Sequence, residues 1–321
     1  MPTNDSKLLA KFFILTLCWA TTAGATEADK AKVTVPQAIA VPQAIAAPET
    51  TAVAKASKQT KPSIDVAQLT KDAKAGKGLA QYNLAHLYQH GYVVKQNKAQ
   101  ALYWYKKSAQ SAVASVRYKI GRLYESGDIF PKDLKQAYNH YKFAADNGDP
   151  YGETNLALMY IQGKGTKQDI AKGILIAEKV AKRGFVKAQI NLASLYNSNY
   201  GGVKDIEKAK FWYKSAAKES KHPLAQYELG RIYYQQKDYK QAFEYLDLSV
   251  ANNNDDAMVM LAMLFDRGLG VSKNREKSIK LLEAAAKLEN KQALKFLPIL
   301  KAKAKAKAKI NSVVEVNSDE K

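Results

Sequence analysis

The chain has 321 residues, 46% of them hydrophobic and 25% charged, with 50 Lys and Arg against 30 Asp and Glu, so its net charge is +20. Such apolar content excludes a wholly disordered chain and supplies a folded region of about 200 residues or more. The positive field favours acidic partners such as anionic lipid, acidic polysaccharide or an acidic protein face, and a single cysteine leaves no material for a disulfide framework.

Residues 1–25 read as a secretory signal peptide. Lys7 and Lys11 precede an apolar stretch from Phe12 to Ala20, and Ala23-Gly24-Ala25 supplies the small residues that signal peptidase requires. Cleavage is expected after Ala25 and the mature chain is expected to be periplasmic or secreted, which makes nucleic acid the least expected partner. Cys18 lies inside this segment, so the mature chain has no thiol and its helices must be held by packing alone.

Residues 26–62 are rich in Ala, Pro, Thr and Lys and contain a direct duplication, Val35-Pro36-Gln37-Ala38-Ile39-Ala40 followed by Val41-Pro42-Gln43-Ala44-Ile45-Ala46. This composition predicts a disordered linker, with a mean reach on the order of 35 Å as a flexible coil.

From residue 63 to 300 the chain repeats. The block Ala80-Gln81-Tyr82-Asn83-Leu84-Ala85-His86-Leu87-Tyr88 returns at Val116, Gly152, Ala188, Ala225 and Ala257, with spacings of 36, 36, 36, 37 and 32. A fixed period of this size marks a stacked array. A second register, through Ala101, Ala137, Gly173, Ala209, Ala242 and Ser278, gives each unit a second helix. In the first helices, the Leu84 and Tyr88 columns lie four residues apart and share a buried face. The column of Ala85, Gly121, Ala157, Ala193, Gly230 and Ala262 is small throughout, which allows close helix approach. Trp104, Trp212, Tyr105, Tyr141 and Tyr213 recur at matching places in the second helices and read as core wedges.

Turn residues separate the helices. Gly91, Gly127, Gly163 and Gly268 follow the first helix in four units, whereas the fourth unit has Gly201 and Gly202 and the fifth has a shortened loop. Asn97, Asp133, Asp169, Asp205, Asp238 and Asn274 precede every second helix and are expected as N-caps, worth about 1 kcal/mol each. Leu69, Ala73 and Gly76 open the array with half a unit, and Ala293 to Leu297 close it with another before Pro298.

These units resemble Sel1-like repeats, the variable-loop relatives of tetratricopeptide repeats. The matching residues include Ala80-Gln81-Tyr82-Asn83-Leu84, Gly163-Lys164-Gly165 and Ala209-Lys210-Phe211-Trp212-Tyr213-Lys214-Ser215-Ala216-Ala217. The resemblance implies an all-α fold, an α-solenoid coiling as a right-handed superhelix of about six repeats with half-repeat caps. It also implies a non-enzymatic scaffold or adaptor, often of the bacterial cell envelope, with no cofactor.

Residues 301–321 begin with a strict Lys-Ala alternation from Lys301 to Lys309. Like charges at i, i+4 oppose a helix, so a disordered tail of locally positive density is expected. It offers an alternative function, the binding of an anionic polymer, peptidoglycan or a membrane surface.

Catalytic chemistry finds little support. His86 and His90 share a helix face at i, i+4, but no glutamate follows the first histidine as a metalloprotease would need, and His86 falls in a variable column. Gly163-Lys164-Gly165-Thr166-Lys167 lacks the glycine spacing of a phosphate loop. No catalytic, cofactor or metal site is therefore expected.

The inner wall of a curved stack is lined mainly by first helices, which selects the partner-binding candidates. They are Asn83 and His86, Lys119 and Arg122, Asn155, Asn191, and Glu228 with Arg231. The three asparagines suit an extended peptide backbone, and Lys119 with Arg122 suits an acidic anchor. Met260 and Met263 are expected to form an apolar rung at the end of the groove.

Overall fold

The computed structural model describes residues 64–318. The signal peptide and linker expected over residues 1–62 lie outside them, as do residues 319–321. Among the described residues there are helices and turns and no strand.

Each repeat is an antiparallel helix pair. The opening half unit is α1 (Val66–Lys74). Six pairs follow: α2 (Gly78–His90) with α3 (Lys98–Ser108), α4 (Ala114–Ser126) with α5 (Leu134–Asp146), and α6 (Pro150–Gln162) with α7 (Ile170–Lys182). Next come α8 (Val186–Asn197) with α9 (Ile206–Ser220), α10 (Pro223–Gln235) with α11 (Tyr239–Ala251), and α12 (Asp255–Arg267) with α13 (Arg275–Lys287). The array ends in α14 (Lys291–Ser318). Every helix packs on its sequence neighbours, and the first helices α2, α4 and α6 also touch one another in succession, as they do on the inner wall of a solenoid.

One hydrogen-bond pattern sets the repeat. All six expected caps accept a backbone N–H from the first turn of the second helix, for example Gln100 N to Asn97 Oδ1 at 3.0 Å and Lys208 N to Asp205 Oδ1 at 3.0 Å. Each cap residue also donates its own N–H back to the carbonyl of Tyr88, Tyr124, Tyr160, Tyr196, Tyr233 or Phe265, at 2.8 to 3.0 Å. The same residue thus starts one helix and ties it to the end of the other. Side chains link successive units too, since Gln81 Nε2 donates to Ala73 O and Gln189 Nε2 to Ala181 O, at 3.0 and 3.1 Å.

The core follows the columns. Leu84, Ile120, Leu192 and Leu229 are buried with Tyr105, Tyr141 and Tyr213, and Trp104 and Trp212 are buried beside them. The small column is needed: a Cβ on Gly121 would meet the Tyr141 ring at 2.7 Å, and one on Gly230 would meet Leu246 at 2.6 Å. Gly91, Gly127, Gly163 and Gly268 end their helices in the left-handed conformation, while the fourth loop forms a single 3-10 turn at Tyr200–Gly202. In the fifth unit Lys237 takes the positive φ of 63° in place of glycine.

The C-terminus departs from expectation. Helix α14 does not stop before Pro298 but continues through it and through the Lys-Ala segment to Ser318. Phe296 and Leu300 are buried on either side of the proline, and α14 packs against α13. Lys301 Nζ meets Glu283 Oε1 of α13 at 2.6 Å. Packing thus carries the helix across the proline, and the alternating alanines favour a helix more than solvent-screened lysines oppose it.

A candidate protein-interaction surface on the first helices

The candidate residues all fall on first helices and sit in succession along one wall. Asn83 and His86 lie on α2, Lys119 and Arg122 on α4, Asn155 on α6, Asn191 on α8, and Glu228 with Arg231 on α10. Helical spacing places them there because the intervening Leu and small columns face the second helices.

At the N-terminal end the wall is polar and basic. Asn83 and Arg122 are exposed, and His86 and Lys119 are half-buried. Lys119 Nζ lies 5.1 Å from the centre of the Tyr82 ring, which joins the first and second rungs. His86 and His90 have ring centres 4.4 Å apart, and Tyr92 stacks on His90 at 5.3 Å. Burial lowers the His86 pKa, and the neighbouring His90 and Lys119 lower it further, so its imidazole is neutral at pH 7. No group of three or more His, Cys, Asp or Glu able to hold a metal occurs among the described residues.

The middle of the wall has a different character. Asn155 is buried, and Asn191 lines a small, largely enclosed cavity of about 10 Å³ with Thr154, Ala157, Leu158, Ile161, Ala177 and Leu192. Asn191 Nδ2 is shielded from solvent and has no hydrogen-bond partner. A buried amide donor in that state costs about 1 to 3 kcal/mol until a partner supplies an acceptor.

At the fifth unit Glu228 and Arg231 are committed to each other. Arg231 Nη1 donates to both carboxylate oxygens, at 2.9 and 2.8 Å. The Glu228 charge raises the guanidinium pKa beyond its usual value, against the opposing effect of burial. Burial raises the pKa of Tyr213 beneath them, and its hydroxyl shares a hydrogen bond of 2.9 Å with Ser194. This rung is a closed polar network with its charges already balanced. The expected apolar rung is closed as well, because Met260 and Met263 are buried. Nine successive residues of α12, Ala257 to Phe265, are buried, and all nine are apolar, so they cover every face of the helix.

Sequence reasoning missed His140. It stands on α5 in the column that holds Trp104 and Trp212, it is buried, and it accepts a hydrogen bond at Nδ1 from Arg117 Nε at 2.9 Å. Tyr124 stacks on it at 5.5 Å. A histidine in the column that holds Trp104, Ile176 and Trp212 was the signal for it. Burial, with the Arg117 charge second, lowers its pKa to about 4.

The regular helix pairs, the capped loops and the wall of amide, basic and ion-paired side chains define an α-helical repeat scaffold. The Sel1 repeat profile matches residues 78–112, 114–149, 150–185, 186–220, 223–254 and 255–290, and the chain belongs to the Sel1 repeat family. Among solved structures it is similar to c5321, a protective antigen present in uropathogenic Escherichia coli strains displaying an SLR fold. The identity is 26% and the TM-score 0.64, over 73% of this chain and 51% of that one. The chain therefore spans about half the length of that antigen. A Sel1 repeat protein from Oxalobacter formigenes is 24% identical with a TM-score of 0.48, over 73% of this chain and 79% of that one. No match to a curated protein was found. Proteins built from such repeats generally mediate protein–protein interaction and are generally not enzymes.

Proposed function

We propose that the chain is a non-enzymatic scaffold or adaptor of the bacterial cell envelope that binds protein partners along the wall of its first helices. The observation that carries this reading is the unpartnered Asn191 Nδ2 in the small cavity between α6, α7 and α8. Asn191 is half-buried, and when its side chain turns outward a peptide carbonyl on that wall accepts from Nδ2 and removes the cost of the unmade bond. Lys119 and Arg122 lie two units earlier and receive an acidic side chain of the same segment. Glu228 and Arg231 limit the groove on the other side, since their mutual pairing leaves little charge to offer.

In-cell photocrosslinking from position 191 tests the reading. A discrete protein adduct, diminished by Lys119→Glu and not formed from Lys240 of α11, is the expected result. Equal yields from both positions, or an adduct indifferent to Lys119→Glu, would count against a groove on this wall.

A further inference from the structure

The opposite wall carries a patch that the groove does not use. On the second helices, Leu175 of α7 and Phe211 of α9 hold the same place one repeat apart, and they are 69% and 60% exposed. They belong to the third and fourth of six units, the middle of the array. Second helices form the outer wall of a solenoid, and an outward-curving wall meets a flat surface first at its middle.

Lysines keep the same register around this pair. Lys172 and Lys208 lie three residues before the apolar side chains and Lys182 and Lys218 seven after them, all on the same helix face and all exposed. The neighbouring carboxylates are occupied. Glu178 accepts from the Tyr196 hydroxyl at 3.1 Å, Glu207 pairs with Lys210 at 2.8 Å, and Asp205 caps α9 and lies 3.5 Å from Lys208 Nζ. Lys172 and Lys208 also reach over the Tyr160 and Tyr196 rings, at 4.3 and 5.1 Å from their centres, which leaves Lys182 and Lys218 as the outward charges of this face. The face therefore presents two large exposed apolar side chains one repeat apart, each followed by an exposed lysine two turns on, Lys182 and Lys218.

We propose that this face docks reversibly on an anionic phospholipid surface, with Leu175 and Phe211 entering the interface and Lys182 and Lys218 meeting headgroup phosphates. Lysine stems lie along apolar surface while their charges reach outward, which suits such a pair to a bilayer interface. Two exposed apolar side chains one repeat apart beside outward lysines match a lipid surface, apolar below and anionic at its headgroups, better than a single peptide segment. No helix among the described residues is long and apolar enough to cross a membrane, and this docking is peripheral.

Co-sedimentation of the full chain with phosphatidylethanolamine–phosphatidylglycerol vesicles, against phosphatidylcholine vesicles, tests the proposal. Binding to the anionic vesicles is expected to be about tenfold tighter or more. Both Leu175→Ser with Phe211→Ser and Lys182→Glu with Lys218→Glu should weaken it at least about fivefold, with helical content unchanged because all four side chains are exposed. Absence of binding to the anionic vesicles overturns the proposal. So does binding that survives both double variants, which would place the contact elsewhere, as at Lys301 to Lys305. Photocrosslinks from position 211 that capture protein instead of lipid overturn it as well.

Discussion

His140 shows how a single residue can act on the stability of the whole array. Its ring replaces an indole in the core, and Arg117 donates to its Nδ1, so the folded state holds it neutral down to a pKa of about 4. The unfolded chain binds a proton there near pH 6.5. Between those values the unfolded state carries more protons, and stability therefore falls as pH is lowered from about 6.5 toward 4, by on the order of 2 kcal/mol. His86 and His222 are depressed by burial and act in the same sense, so the test is a difference between variants. Melting temperature measured from pH 7 to 5 should fall less steeply in His140→Gln, which accepts from Arg117 without titrating, than in the parent chain. Parallel profiles would show that His140 is not the titrating group. The cap residues were legible in the sequence because an Asn or Asp before every second helix has one local use. The burial of His140 was not, because imidazole suits both surface and core and only its column distinguishes them.

At the scale of the element, loops record which units press on each other. Gly165 has a φ of 70°, and a Cβ there would stand 2.0 Å from the carbonyl oxygen of Leu134, at the start of the preceding second helix. Gly270 repeats this against Tyr239 O at 2.3 Å. Both strain and collision oppose a side chain, so Gly165→Ala should lower stability by about 2 kcal/mol or more, read as the midpoint shift in urea denaturation. A shift within about 0.5 kcal/mol would refute this account of the loop. Helix number and boundaries were legible because period, cap and glycine agree. The course of α14 was not. Pro298 and the lysine alternation both argue locally for a stop, whereas burial of Phe296 and Leu300 and the Lys301–Glu283 pair argue for continuation. Local rules could not register contacts made with α13.

For the whole molecule, stacking six similar pairs yields two walls of different character. The inner one has amides and basic groups at one end and closed networks at the other, and the outer one has lysines in register. The sequence placed the candidate residues on the inner wall by helical spacing alone. It did not foresee that Glu228 and Arg231 would satisfy each other, although their i, i+3 spacing permits it, nor that the unbroken apolar run of α12 would bury Met260 and Met263. Export and the linker concern residues 1–62, outside the described structure, and the proposal of an envelope role rests on their composition.

The central claim is that the wall of first helices binds protein with the help of the Asn191 amide, and Asn191 separates binding from folding. Its Nδ2 is a buried donor without a partner, beside Leu158, Ile161 and Leu192. Asn191→Leu removes that donor and adds apolar contact, so thermal stability should be unchanged or raised by about 1 kcal/mol. The decisive measurement is the affinity of this variant for the partner captured by crosslinking from that wall, with the melting temperature taken on the same sample. The account predicts binding weaker by about tenfold, a loss of about 1.4 kcal/mol, in a protein at least as stable as the parent. Unchanged affinity would contradict it.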